Sequence, residues 1–95
     1  MTQIISSAQV KDLIEKGALL LDVRTEKEFK QDALNGAINY PITQIAQKVK
    51  GLDMSKALIV YCRTGRRSAE AKALLEGIGF KEVHNAGTMC NYLGA

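Results

Sequence analysis

The chain has 95 residues, which suits one domain that can bury a core without disulfides or metals. A hydrophobic fraction of 46% and a charged fraction of 24% exclude a disordered or low-complexity chain. The net charge of +3 comes from 13 basic and 10 acidic side chains with no run of five cations, which excludes a nucleic-acid-binding arm. So mild a charge matters only where it is focused on a pocket, and there it would attract a small anion.

Residues 1–95 are expected to form one domain. Met1-Thr2-Gln3-Ile4-Ile5-Ser6 lacks the basic and apolar regions of a secretion signal, and no apolar run approaches the roughly 20 residues of a membrane span. Two cysteines, Cys62 and Cys90, make no disulfide framework, and neither has a partner at zinc-site spacing. A cytoplasmic protein with reduced thiols, no metal and no organic cofactor is the expectation.

Short apolar runs alternate with amphipathic stretches, the pattern of βα units on a parallel sheet. Ile4-Ile5 is a candidate first strand. Ser6-Ser7-Ala8-Gln9 then forms a capping box for a helix with Val10, Leu13 and Ile14 on one face, ended by Gly17. Ala18 to Val23 is a continuous apolar run interrupted only by Asp22, as suits a central strand covered on both faces. Thr25-Glu26-Lys27-Glu28 is a second capping box. Ala37-Ile38-Asn39 is a short strand broken by Tyr40-Pro41, and Ile42, Ile45, Ala46 and Val49 suit a third helix. Ala57 to Tyr61 is the second strong strand. A loop follows, then a helix from about Arg66 to Gly77 with Ala71, Leu74, Leu75 and Ile78 facing inward. Glu82 to Asn85 is a last short strand, and the tail from Ala86 holds one helical turn.

The chemistry concentrates in Tyr61-Cys62-Arg63-Thr64-Gly65-Arg66-Arg67-Ser68. Ligands of parallel α/β sheets bind beyond the carboxyl ends of the strands, where Cys62 stands. Cys62 also precedes a helix N-terminus, whose unpaired N–H groups and dipole favour a thiolate. Gly65 lets successive N–H groups turn inward as an anion nest. Arg63, Arg66 and Arg67 add positive charge that a core cysteine has no use for.

Those residues resemble the active-site loop of the rhodanese family, Cys-x-x-Gly-x-Arg-Ser. Leu20-Leu21-Asp22-Val23-Arg24 with Glu28-Phe29 resembles the family's first signature, Gly36-Ala37-Ile38-Asn39-Tyr40-Pro41 its second, and Val83-His84-Asn85-Ala86-Gly87 its closing strand. The small size is similar to single-domain bacterial rhodaneses of the phage-shock type. Asp32-Ala33-Leu34 stand where the family usually has Gly-His-Ile, and Thr88 replaces a usual Gly. The resemblance implies a three-layer α/β/α fold with a five-stranded parallel sheet, order 3-2-4-5-1 with strands numbered along the chain. It implies a sulfurtransferase in which Cys62 takes sulfur from an anionic donor such as thiosulfate and passes it, as a persulfide, to cyanide or a thiol, with no nucleic acid or membrane involved. The six-residue ring Cys62 to Arg67 is similar to the rhodanese cradle and shorter than that of related phosphatases. A small cysteine phosphatase or arsenate reductase is one alternative, and a sulfur-carrier or docking module with little turnover is another.

On this reading Arg63 and Arg66 attract the donor and Arg67 braces the loop. Asp22 and Arg24 read as a structural ion pair supporting the site, and Glu28 as part of its cap. His84, the only histidine, is an edge residue rather than a base, and Cys90 is core filler rather than a resolving thiol.

Overall fold

Both capping boxes form in the computed structural model, which describes residues 4–88. Gln9 N–H donates to Ser6 Oγ at 3.2 Å and Ser6 N–H to Gln9 Oε1 at 2.8 Å, opening helix α1, Ser7–Glu15. Glu28 N–H donates to Thr25 Oγ1 at 3.2 Å and Thr25 N–H to Glu28 Oε1 at 3.1 Å, opening α2, Glu26–Gln31. Strand β1, Leu19–Asp22, lies between the two helices, and β2 is Ile38–Asn39. A 3-10 turn at Ile42–Gln44 leads into α3, Ile45–Lys48. Strand β3, Leu58–Cys62, helix α4, Arg66–Ile78, and strand β4, Val83–Thr88, complete the α/β unit.

The sheet is parallel and four-stranded, in the order β2-β1-β3-β4. It corrects the expectation of five strands in the order 3-2-4-5-1. Ile4 makes one isolated parallel bridge with Asn85, and Ile5 N–H donates to the Asn85 carbonyl at 2.9 Å. The next residue, Ser6, is already the cap of α1, so the chain leaves the sheet edge before a ladder can develop. β4 instead runs further than expected, to Thr88. The helical turn expected after Ala86 is therefore strand as far as Thr88, and residues 89–95 lie outside the described residues.

The two-residue period of the strands sorts their side chains into two cores. Leu21, Leu58, Val60 and Cys62 face α3 and α4, packing with Ile45, Val49, Ala71, Leu75 and Phe80. Leu20, Ile59 and Tyr61 face the other side and pack with Val10, Ala18 and Ala86. Fully buried side chains such as Leu21, Leu58, Ile59 and Leu75 each contribute about 1.5–3 kcal/mol by leaving water. The inward face of α4 is Ser68, Ala71 and Leu75. Leu74 and Ile78, expected inside, are 47% and 39% exposed. Gly77 does not end α4. Gly79 does, at φ +129°, its N–H reaching the Leu75 and Glu76 carbonyls. Among the described residues no helix is long and apolar enough to cross a membrane.

Candidate active site

β3 carries Cys62 to the carboxyl edge of the sheet, and α4 begins four residues later at Arg66. Gly65 caps α4 at φ +89°, ψ −11°, a left-handed conformation that strains any residue with a Cβ. The turn folds the backbone over the sulfur. Gly65 N–H donates to Cys62 Sγ at 2.9 Å and Ser68 N–H at 3.4 Å. Ser68 Oγ lies 3.5 Å from Sγ and donates to the Gly65 carbonyl at 3.0 Å, closing the first turn of α4 against the sulfur. Burial pushes the Cys62 thiol up, but the Ser68 hydroxyl and the N–H groups of Ser68, Gly65 and Thr64 outweigh it. The net result is a thiol held below its ordinary value. Two N–H groups, those of Gly65 and Ser68, thus converge on the sulfur.

Cys62 is 0% exposed, closed over by its own loop.

The three arginines separate into two groups. Arg67 forks onto Glu28, Nη1 to Oε1 at 2.8 Å and Nη2 to Oε2 at 3.0 Å, which ties α4 to α2. The Arg67 guanidinium holds the Glu28 carboxyl down to about 2 against the effect of burial, with Thr25 N–H and Oγ1 assisting. Arg63 is exposed, with Nε 3.8 Å from Glu28. Arg66 is exposed too, and its N–H reaches Thr64 Oγ1 at 3.4 Å.

Asp22 and Arg24 are fully buried and belong to a separate network. Arg24 Nε and Nη2 donate to Asp22 at 3.0 and 2.7 Å, Nη1 donates to Asp32 Oδ1 at 3.2 Å, and Nη2 also reaches the Asp32 carbonyl. Tyr61 OH donates to Asp22 Oδ2 at 2.9 Å and accepts from Leu34 N–H at 3.2 Å. Asp22 raises the Arg24 guanidinium further, and burial raises the Tyr61 phenol. Asp22 stands opposite Tyr61 in the β1–β3 register, and neighbours along a strand point to opposite faces. The network therefore lies on the other side of the sheet from the Cys62 sulfur. It fixes the segment 32–34 through Asp32 and the Leu34 N–H. His84 is remote from the sulfur. It pairs with Ile59, whereas Cys62 pairs with Thr88, and its Nε2 lies 2.8 Å from Glu82. Among the described residues no group of three or more His, Cys, Asp and Glu comes together to hold a metal. Cys90 lies outside the described residues.

A rhodanese-like domain model matches residues 6–86. The chain belongs to the rhodanese family. It is 35% identical over 69 residues to the thiosulfate sulfurtransferase PspE of Escherichia coli, a match covering 70% of this chain and 66% of that one. It is 33% identical over 81 residues to the thiosulfate sulfurtransferase GlpE of Pseudomonas syringae, covering 85% of this chain and 76% of the relative. The chain thus spans about two thirds of the length of PspE. Among solved structures it is similar to the human single-domain sulfurtransferase TSTD1, with TM-score 0.86 at 22% identity over 98% of this chain and 96% of the other, a likeness of fold.

Of the site residues expected of a rhodanese, Cys62, Gly65 and Ser68 meet at the sulfur, Arg67 and Arg63 lie against Glu28, and the exposed Arg66 and Thr64 are joined through the Arg66 N–H. Sequence reasoning missed Tyr61 and Asp32 as partners of the Asp22–Arg24 pair, and the second task of Glu28. The strand period puts Tyr61 and Asp22 on one face and could have found the first pair. Nothing local could have shown α2 packed beside the loop.

Proposed function

We propose that this rhodanese moves sulfane sulfur from an anionic donor such as thiosulfate to an acceptor through a persulfide on Cys62. The observation that supports this most is the convergence of Gly65 and Ser68 N–H on a thiol kept below its ordinary pKa. The Cys62 thiolate attacks the outer sulfur of thiosulfate, the S–S bond of the donor breaks, and its electron pair leaves with sulfite. The outer sulfur of the persulfide carries the negative charge, and the loop N–H groups and the start of α4 hold it. Cyanide then attacks that sulfur, giving thiocyanate and restoring the thiolate. A thiol acceptor would leave as its own persulfide. No net oxidation occurs and no cofactor is required. Arg63 and Arg66 draw the anionic donor in, and Arg67 braces the loop. The names of PspE and GlpE support thiosulfate as donor. A free thiol of this kind suits a cytoplasmic protein, with residues 1–95 acting as one domain.

The closed loop over Cys62 favours a second reading, a sulfur carrier that turns over slowly. The six-residue loop argues against a phosphatase or arsenate reductase. Incubating wild type and Cys62→Ser with thiosulfate and cyanide separates these readings. With thiosulfate alone wild type gains one sulfur atom in mass, and with cyanide added it forms thiocyanate, while the variant does neither; normal turnover by Cys62→Ser ends the proposal.

A further inference from the structure

A guanidinium fork matches a tetrahedral oxyanion as well as it matches a carboxylate. In this loop one fork is already filled. Arg67 gives both terminal nitrogens to Glu28, at 2.8 and 3.0 Å. Glu28 is itself held in place, with Oε1 also accepting from Thr25 N–H and Oγ1, both at 3.1 Å. Arg63 approaches its other oxygen at 3.8 Å. The carboxylate therefore has its acceptor sites occupied and its position fixed by the first turn of α2. Arg67 is the second residue of α4, one position before Ser68, whose N–H points at the Cys62 sulfur. An Arg67 released from Glu28 would stand at the rim of the same cradle.

We propose that Glu28 is a specificity-determining positioning residue. By occupying the Arg67 fork it stops the loop from clamping tetrahedral oxyanions, and it leaves the cradle to the terminal sulfur on Cys62. The inference rests on the sulfur-transfer reading for its purpose. Thiosulfate enters and sulfite leaves the same cradle, and both are tetrahedral or pyramidal oxyanions. A full arginine clamp would slow the departure of sulfite and would let sulfate or phosphate from the surroundings block the thiol. Holding such anions weakly keeps the sulfur exchangeable.

The test uses Glu28→Gln, which retains the capping box because glutamine serves at the same position, and removes only the charge. Cys62 is alkylated with iodoacetamide at fixed ionic strength, in increasing sulfate or inorganic phosphate, and its modification is followed by peptide mass. Glu28→Gln is protected at about tenfold lower anion concentration than wild type, the gain expected of one new charge-assisted fork. The charge-neutral pair Glu28→Gln with Arg67→Met returns to the wild-type concentration. Equal protection of Glu28→Gln and wild type overturns the inference. So does a double variant protected distinctly less than wild type, since Arg67 would then already hold anions. Should the single variant not fold, the double variant decides alone. Wild type assayed for thiocyanate alongside keeps the two readings apart. No thiocyanate ends the sulfur-transfer reading and leaves the anion result standing, whereas turnover with unchanged protection ends the Glu28 inference only.

Discussion

An Arg24→Met variant leaves Asp22 buried with no cation beside it. In the native chain both side chains have no exposed surface. Without the guanidinium, Asp22 keeps only the Tyr61 hydroxyl at 2.9 Å and the backbone N–H of residue 24 at 2.9 Å. Removing one partner of a buried ion pair costs about 3–5 kcal/mol, because the charge left behind is neither solvated nor paired. Methionine recovers a little packing, so about 3–4 kcal/mol is expected at pH 7. For a domain of this size that lowers the melting temperature by about 15–25 °C. Asp22→Asn costs less, since Arg24 still has Asp32 Oδ1 at 3.2 Å and the Asp32 carbonyl. Urea unfolding of both single variants and the double variant measures the coupling. The double variant should be more stable than Arg24→Met alone, because no uncompensated charge remains. A loss under about 1 kcal/mol for Arg24→Met, or a double variant less stable than both singles, refutes the reasoning.

Ser68→Ala removes the hydroxyl 3.5 Å from Cys62 Sγ, so the thiol titrates at higher pH and its alkylation at pH 7 slows about fivefold; an unchanged pH profile would show that the N–H groups act alone. Gly65→Ala forces a Cβ into φ +89°, costs about 1 kcal/mol in urea unfolding and pulls its N–H off the sulfur, lowering thiocyanate formation about tenfold or more. Full activity in that variant would mean the loop does not need this turn. Glu28 has a carboxyl held at about 2, below its ordinary value, so its contribution is complete above about pH 4.5 and is lost as pH falls toward 2. Glu28→Gln is therefore less stable than wild type by about 2 kcal/mol at pH 7, a figure reduced for partial exposure, and the gap narrows below about pH 4.5 and closes only as pH falls to about 2. A gap independent of pH would assign the loss to packing.

What the sequence revealed and what it hid follow from the range of the interactions. Capping boxes span four residues, and Ser6–Gln9 and Thr25–Glu28 formed where the letters placed them. The nest around Cys62 is equally local, since Gly65 and Ser68 lie three and six positions on. The errors arose where distant segments decide. Ile4-Ile5 has the composition of a strand, but Ser6 commits the chain to a helix before a ladder can form. Leu74 and Ile78 have the spacing of an inner face, yet the roll of α4 is set by Ser68 at the sulfur and by Ala71 and Leu75 under the sheet. Closure of the loop over Cys62, and the reach of Arg67 to Glu28, depend on how α2 and α4 sit beside each other. No periodicity encodes that.

The buried position of the reactive sulfur bears on how the protein survives when idle. Oxidation to sulfenic acid and beyond needs both an ionised thiol and contact with peroxide. The Cys62 thiol is held below its ordinary value yet fully buried, so it presents little for an oxidant to attack. The packing that keeps peroxide out thus protects the thiol it surrounds.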